Sequence, residues 1–418
     1  MLTLAVACAV TARSTTDPPA APAVVTAFAA PDSALIERGR YMTAAADCEP
    51  CHVDPNTGAA FAGGRALPTP FGTMLSANIT PDPQTGIGQW TDAQFEAAVR
   101  EGKRPDGSRL YPAMPYPYYS KLSHDDVLAI RAYLRTVAPV NHAVVSNQLS
   151  FPFSIRAGMH LWDAMYFKPE PFKPDPTQSP AWNRGAYLVL GAGHCGACHT
   201  PKNFAGADHG DRALQGYSLQ GWFAPNITGD ESLGVGDWPK GDIVIFLKNG
   251  HGVVAGASGP MGEVVTHSTA ALSDADLGAI ATYLKSQRST NVSRTAIAAT
   301  DPRMKAGEAI YQDRCSACHQ HDGRGVPYMV PNLVKDPAVD SGDATSIVHV
   351  LLQGAEGLAT EAEPTGASMP SFDEELTNAQ LAAVTTYIRN SWGNAAAAIS
   401  EEDFRKARQT ASHARAAP

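Results

Sequence analysis

The sequence has no long apolar run and no surplus of positive charge. Its 418 residues contain 32 Lys and Arg against 41 Asp and Glu, a formal net charge of −9 at pH 7 with neutral histidine. An acidic chain lacks the basic surface with which proteins bind phosphate backbones, so we expect no nucleic acid partner. The longest nearly apolar run is residues 1–10, whereas a helix needs about 20 apolar residues to span a bilayer. The sequence therefore predicts no membrane-spanning helix.

Catalytic motifs are also missing. We find no Ser/His/Asp set, no His-Glu-x-x-His zinc motif, no phosphate loop and no flavin fingerprint. A Gly-x-Gly-x-x-Gly string at 191–196 matches the dinucleotide-binding pattern, but no acidic ribose partner follows it in a βαβ context. These absences indicate that the chain is not a catalyst on its own.

Cysteine is rare, with seven in the chain, but its arrangement is regular. Cys8 stands apart, and the other six form three Cys-x-x-Cys pairs, each followed at once by a histidine: Cys48, Cys51 and His52; Cys195, Cys198 and His199; Cys315, Cys318 and His319. Cys-x-x-Cys-His is typical of c-type haem attachment. The spacing lets two thioethers reach the haem vinyl groups while the adjacent imidazole reaches the iron. The sequence therefore predicts three covalently bound haem c groups.

Two other interpretations of the cysteine pairs fit less well. A thioredoxin-like redox pair needs no adjacent histidine and would not occur three times in one chain. A zinc site would pool four ligands, whereas these residues form three separate groups of three. We therefore expect all six paired cysteines to bind haem and all three adjacent histidines to bind iron.

Methionines in three later segments are candidates for the second axial ligand of each iron. A small cytochrome c usually supplies a methionine thioether from a loop ahead of its last helix, and these loops are predicted to carry Met114, Met261 and Met369. Met114 and Met261 lie at the same sequence distance from the histidine of their motif, and Met369 lies closer to its own. His251 and His267 flank the second candidate and could replace Met261. Histidine and methionine ligation raises the reduction potential relative to two nitrogen ligands.

An internal repeat surrounds the three motifs. A short helix-like lead precedes each motif, with a glycine at Gly39, Gly185 or Gly307. A closing helix follows each loop region, with a predicted capping box formed by Ser123 and Asp126, by Ser273 and Asp276, and by Thr377 and Gln380. Between them, the strings 78–80 and 226–228, both Asn-Ile-Thr, are predicted turns. The repeat predicts a mainly α chain of three tandem class I cytochrome c modules.

The repeat also predicts the domain organisation of the chain. The expected segments are an export leader and linker at 1–36, module one at 37–145, an aromatic, proline-rich linker at 146–182, module two at 183–290, a linker at 291–303, module three at 304–395 and a charged tail at 396–418. The leader offers two processing sites, lipid attachment at Cys8 or cleavage near 27–29. The aromatic linker lies in a membrane interface, holds a partner subunit, or packs between modules one and two as a connector.

Residues 36–392 resemble the three-haem cytochrome c subunit of membrane-bound dehydrogenases from acetic acid and related bacteria, which oxidise alcohols, aldehydes or sugars in the periplasm. The resemblance depends on the three motifs and on more selective strings at 76–82, 151–156, 224–230 and 390–394. It implies electron transfer from a separate catalytic subunit, of the pyrroloquinoline quinone, flavin or molybdopterin type, to membrane ubiquinone. It also implies a location at the periplasmic face of the inner membrane, as a peripheral or lipid-anchored protein.

Two other functions are compatible with the motifs. One is a free periplasmic multihaem carrier with no fixed partner. The other is a multihaem peroxidase, which needs one iron with an open or displaceable position. The three methionine candidates favour the electron-transfer subunit over the peroxidase.

Overall fold

The computed structural model describes residues 32–145, 147–289, 294–360 and 366–416. Side chains are described as far as residue 410. Helices predominate among these residues, and the strands form two small antiparallel sheets. The expectation of a mainly α chain is therefore confirmed. The predictions for the leader, including Cys8 and the cleavage site at 27–29, lie outside the described residues.

The first Cys-x-x-Cys-His motif lies in a helical segment with a small sheet. Its helices are α1 (Ser33–Ala45), α2 (Cys48–His52), α3 (Asp92–Glu101), α4 (Tyr116–Tyr119) and α5 (His124–Leu134). The sheet contains β1 (Ala66–Thr69), β2 (Gly72–Leu75) and β3 (Gln148–Leu149), with β2 in the middle and both pairings antiparallel. The helix α6 (Gly158–Tyr166) follows within the aromatic linker.

The second motif lies in a segment of similar order. Its helices are α7 (Pro180–Tyr187), α8 (Gly196–His199), α9 (Lys240–Asn249), α10 (Gly259–His267) and α11 (Asp274–Ser286). One π-helical turn, Leu188–Ala192, extends α7 towards the motif, and short 3-10 turns lie at Gly210–Arg212 and Thr269–Ala271. A hairpin of β4 (Tyr217–Leu219) and β5 (Trp222–Ala224) lies between α8 and α9.

The described residues around the third motif form helices and two isolated antiparallel bridges, and the tail adds a further helix. The helices are α12 (Pro302–Arg314), α13 (Ser316–His319), α14 (Pro337–Asp340), α15 (Thr345–Gln353), α16 (Asn378–Ile388) and, in the tail, α17 (Glu401–Ala416). The tail helix packs on this segment through the fully buried Phe404. Arg408 strengthens the contact by donating to the carbonyl oxygens of Asp373 and Leu376 at 2.7 and 2.8 Å.

Each helix that leads into a motif crosses its closing helix at a glycine. The crossing pairs are α1 with α5, α7 with α11, and α12 with α16. A Cβ atom on the glycine of the leading helix would lie far inside contact distance of a carbonyl oxygen of the closing helix: 1.9 Å for Gly39 and Ala129, 2.0 Å for Gly185 and Ala279, and 2.2 Å for Gly307 and Ala383. Only glycine permits this approach, because any other side chain would force the helices apart.

The closing helices begin at the predicted caps. The side chain of each cap residue accepts a hydrogen bond from the backbone N–H three residues later, at Ser123, Ser273 and Thr377. At Thr377 the Gln380 side chain completes the capping box. The capping boxes predicted for α5 and α11 are wrong, because their aspartates bind arginines of the crossing helix instead: Asp126 binds Arg38, and Asp276 binds Arg184.

The same two aspartates join the first helix pair to the second. The Tyr41 hydroxyl of α1 donates to Asp276 at 2.6 Å, and the Tyr187 hydroxyl of α7 donates to Asp126. Each helix pair thus receives a tyrosine hydroxyl from the other pair, so the two pairs are related by an approximate twofold arrangement. One continuous apolar core, which includes the fully buried Val127 of α5 and Leu277 of α11, lies beneath it.

The third helix pair has separate cores and contacts the second segment through a smaller set of groups. Trp222 of β5 stacks on His349 of α15 with ring centroids 4.2 Å apart. The Phe223 amide donates to the Ser346 hydroxyl at 2.8 Å, and Lys335 pairs with Asp237 at 3.2 Å. Unlike the first two segments, the third shares no continuous core with its neighbour in the described residues, and it adds apolar contacts such as that of Leu358 beside Gly250.

The glycine crossing yields a stability prediction. Replacing Gly185 with Ala should lower the free energy of unfolding by about 1–3 kcal/mol or more, because the added methyl group overpacks the contact with α11. Gly278→Ala in α11 is the matched control, since a Cβ there meets no atom within 4 Å. It should be neutral or stabilise the helix by about 0.5–1 kcal/mol. Denaturant unfolding of the haem-loaded protein measures both changes, and equal effects would contradict the close crossing.

Candidate functional site

The three motifs lie in short helices at the ends of the leading helices. α2, α8 and α13 each contain the histidine of a motif as their last residue. None of the six motif cysteines is in a disulfide. Burial raises the pKa of the Cys195 thiol to about 12 and that of the Cys315 thiol to about 11. Cys315 is buried, Cys318 is exposed, and the four cysteines of the first two motifs are half-buried.

Each motif histidine is oriented by a backbone carbonyl. The Nδ1 atom lies 2.6 Å from the Ala77 oxygen in His52, 2.6 Å from the Pro225 oxygen in His199 and 3.2 Å from the Pro331 oxygen in His319. A carbonyl oxygen can only accept, so Nδ1 donates its proton and Nε2 retains the lone pair that binds a metal. Burial lowers the pKa of all three imidazoles, which favours their neutral form. The three histidines fit the role of haem iron ligands.

The orienting carbonyls lie beside the turns predicted at the repeated Asn-Ile-Thr strings. The Asn78 side-chain oxygen accepts from the Thr80 amide and hydroxyl at 2.9 and 2.7 Å. Asn226 and Thr228 repeat these bonds at 2.8 and 2.7 Å. Such Asx turns are rigid local structures, so they hold the preceding carbonyl in place. The prediction of turns at both strings is confirmed.

The third motif has a shorter version of the same turn that the sequence analysis missed. The Asn332 side chain accepts from the Val334 amide at 2.9 Å, and the preceding Pro331 supplies the carbonyl for His319. The signal was the Pro-Asn pair at 331–332, which matches Pro225 and the asparagine after it. Without the following Ile-Thr, the pair was not recognised as part of the repeat.

The methionine candidates are half-buried in different local structures. Met114 lies in the loop just before α4, and Met261 packs against the same core as Met114. Met369 pairs with Ala355 through two backbone hydrogen bonds of 2.8 and 3.0 Å and packs against the core around α15 and α16. The expectation that Met261 lies in a loop is wrong, because it belongs to the first turn of α10.

The two histidines that flank Met261 also have defined positions. His251 lies on an isolated antiparallel bridge to Gly256. His267 is exposed in the last turn of α10. The opposite ends of α10 therefore carry Met261 and His267, and only Met261 packs against the core.

Groups beside the first and second motifs meet where the two segments join. Burial raises the pKa of the Cys51 thiol to about 11, with further contributions from Asp47 and from Cys198 of the second motif. Tyr119 donates to the Ala46 carbonyl at 2.5 Å, and its ring lies 5.5 Å from that of His194. Groups just before both motifs therefore meet at one aromatic contact.

An arginine and a lysine bind the two motifs in the same manner. Arg65 donates to the Pro50 carbonyl inside the first motif at 2.8 Å and binds both oxygens of Glu263 in α10. Lys202 donates to the Gly196 carbonyl inside the second motif at 2.8 Å and binds Asp208. Charge-assisted bonds of this kind are stronger than neutral ones, and they hold each motif backbone in place.

The third motif approaches the second segment through its orienting turn. The Tyr328 amide donates to the Gly252 carbonyl at 2.9 Å. Pro331, whose carbonyl orients His319, packs beside Gly256, where an added Cβ would lie 3.3 Å from the proline ring. The loop that leads into α10 therefore contacts the turn that orients the third histidine.

No helix in the described ranges is both long and apolar enough to cross a membrane. The Cytochrome c family model matches residues 183–288 and 304–392. These two ranges contain the second and third motifs.

Several relatives match almost the whole chain, and three of them illustrate the family. The cytochrome c subunit of alcohol dehydrogenase (quinone) from Gluconacetobacter polyoxogenes is 39% identical over 400 residues, covering 91% of this chain and 85% of the relative. The gluconate 2-dehydrogenase cytochrome c subunit of Pantoea cypripedii is 39% identical, covering 88% of each chain. The fructose dehydrogenase cytochrome subunit of Gluconobacter japonicus is 37% identical, covering 89% and 82%. The resemblance predicted from the motifs is thus confirmed, and the chain belongs to the cytochrome c subunits of bacterial dehydrogenases.

Proposed function

We propose that this chain carries electrons from a separate catalytic dehydrogenase subunit, through three covalently bound haem c groups, to ubiquinone in the membrane. The catalytic subunit would oxidise an alcohol, an aldehyde or a sugar. The observation that carries the proposal is the threefold pairing of a motif histidine with a backbone carbonyl, at 2.6, 2.6 and 3.2 Å. It supports three equivalent iron ligands rather than one special site.

In this proposal the chain forms three cytochrome c modules with the boundaries predicted from the repeat. The attachment residues are Cys48 and Cys51, Cys195 and Cys198, and Cys315 and Cys318; the iron ligands are His52 and Met114, His199 and Met261, and His319 and Met369. These residues would hold haem iron, which would supply one-electron chemistry between its ferric and ferrous states. The protein residues hold the group, orient the imidazoles and shelter the site from water.

The packing of the segments supports a relay of electrons. Groups beside the first two motifs meet at the contact of Tyr119 with His194, and the turn beside the third motif contacts the loop into α10. Because electron tunnelling slows steeply with distance, adjacent motifs favour transfer along the chain. The proposed location is the periplasmic face of the inner membrane, with peripheral or lipid-anchored attachment.

The first test concerns the methionine ligands. Met114→Ala and Met369→Ala should each abolish one sulfur-to-iron charge-transfer contribution and lower the potential of that haem, because a thioether ligand raises the potential. All three haems should stay attached, since the cysteines and histidines are unchanged. Met329→Ala is the control, because Met329 is exposed. Spectra and redox titrations that match the parent protein in both ligand variants would refute the assignment.

The second test concerns the haem count and the electron path. Replacing Cys195 and Cys198 with Ala should remove one haem, measured as bound haem per chain. The assembled complex should still oxidise its substrate with an artificial dye as acceptor, because the catalytic subunit is unchanged. Its reduction of ubiquinone should be strongly impaired. Undiminished ubiquinone reduction would show that the second haem is not on the path.

The third test separates electron transfer from peroxidase chemistry. With a methionine on each iron, the purified chain should not rapidly bind cyanide or peroxide when reduced or half-reduced. An open iron would bind them at once and change its absorption spectrum. Rapid binding by one haem in the unmodified protein would favour the peroxidase instead. Met114→Ala is the positive control, because it should open one position.

A further inference from the structure

The helix α6 in the aromatic linker has an unusual distribution of side chains. Its only charged residue, Asp163, is buried, where it accepts from the Tyr116 hydroxyl at 2.6 Å and pairs with Arg109 at 3.3 Å. Its apolar residues Leu161 and Met165 are instead 64% and 57% exposed. A surface helix normally turns its apolar side towards the core. This helix buries Met159 in a small core but leaves Leu161 and Met165 on the surface, so something other than water is expected to cover them.

Two turns extend this apolar surface beyond α6. Phe151, at the turn before the helix, is 80% exposed, and Phe204, on a turn of the second segment, is 91% exposed. We name the surface the linker patch and define it by its exposed apolar residues: Phe151, Phe153, Ile155, Leu161, Met165 and Phe204. The rest of the linker is different in character, since Phe172 stacks on Tyr187 as an interdomain connector.

The parts of the linker patch are fixed relative to one another. The Trp162 indole of α6 donates to the Ala205 carbonyl at 2.9 Å, beside the exposed Phe204. Phe71 fills the space between the two turns, because its ring stacks 4.6 Å from Phe153 and lies 3.2 Å from the Cβ position of Gly206. The linker patch is therefore one rigid surface built from three parts of the chain.

The turn that carries Phe204 is itself well ordered. The Asn203 side chain accepts from the Ala205 and Ala207 amides at 2.8 and 3.1 Å, and the Gly206 amide donates to the Asn203 carbonyl at 2.9 Å. The turn thus holds a phenyl ring out into solvent. A protein partner would need a matching pocket for such a protruding ring, whereas hydrocarbon accommodates it without one.

The charges around the linker patch also favour a membrane. Residues 148–173 carry Arg156, Lys168 and Lys173 against Asp163 and Glu170, and Asp163 is buried and paired. The exposed charge of this segment is thus positive in a chain whose net charge is −9. Basic residues beside apolar ones match the interface of an anionic bilayer, where phosphates meet hydrocarbon.

We propose that the linker patch inserts into the surface of a phospholipid bilayer and holds the protein there. The inference rests on the proposed function, because ubiquinone dissolves in the membrane and the chain must reach it. The patch supplies that contact through aromatic and aliphatic side chains at the depth of the headgroups. It would orient the joined first and second segments towards the bilayer.

The test measures binding to vesicles made of equal parts phosphatidylglycerol and phosphatidylcholine. All proteins are the haem-loaded full chain, produced without the catalytic subunit and with Cys8→Ser, so that no lipid can be attached there. The patch variant combines Leu161→Gln, Met165→Gln and Phe204→Ser. The control variant combines Val253→Gln and Met329→Gln, which alters exposed apolar residues away from the linker patch. Haem spectra and thermal melting establish that each variant is folded.

The patch variant should bind the vesicles more weakly by about tenfold for each replaced side chain, because each loses the burial of an apolar group. The control variant should bind as the parent protein does. Binding of the parent protein should weaken in phosphatidylcholine alone and at high salt, which screens exposed charges. No vesicle binding by the parent protein, equal binding by the patch variant, or a loss confined to the control variant would each overturn the proposal.

A second measurement separates this proposal from the proposed function. In the complete complex, the patch variant should reduce a short-chain ubiquinone in detergent at the parent rate but lose reduction of ubiquinone held in vesicles. A parent complex that reduces no ubiquinone in either medium would refute the proposed function and leave the vesicle result standing. A patch variant that binds vesicles normally but fails to bind the catalytic subunit would assign the linker patch to that subunit instead.

Discussion

The close crossing of helices at a glycine is the constraint on which the rest of this structure depends. At Gly39, Gly185 and Gly307 the leading helix touches a carbonyl of the closing helix, with no room for a side chain. Because each motif begins at the end of its leading helix, this contact sets where the cysteines and the histidine lie relative to the core. The same contact repeated three times places three motifs in equivalent surroundings, although the segments differ in sheets and loops.

The histidines are oriented by backbone rather than by ionisable side chains. A carbonyl held by an Asx turn accepts from Nδ1 in each case, so the tautomer of His52, His199 and His319 does not depend on the charge of a neighbour. A carboxylate in that position would titrate and would add a negative charge beside the iron. The carbonyl places no charge beside the imidazole, which suits a ligand whose role is the same over a range of pH.

The segments are joined in two different ways. The first two share one apolar core. The Tyr41 and Tyr187 hydroxyls each donate to a carboxylate of the other segment, so the two segments form a single rigid unit. The third keeps its own cores and meets this unit through an aromatic stack and polar bonds. The linker between the first two segments forms part of the rigid unit on one side and the linker patch on the other. The first two proposed haem sites and the proposed membrane surface thus belong to the same rigid body.

The sequence by itself determined the motifs, the family and the helix caps, because each depends on the spacing of a few neighbouring residues. It also predicted turns at both Asn-Ile-Thr strings, since an asparagine bonds its own backbone locally. The tertiary structure decided which carbonyl meets each histidine, that Met261 lies in a helix, and that Asp126 and Asp276 bind arginines instead of closing capping boxes. It also decided that Asp163 of α6 is buried, and that the exposed residues of α6 and Phe204 form one surface. These features depend on contacts between residues far apart in the chain, which local spacing does not encode.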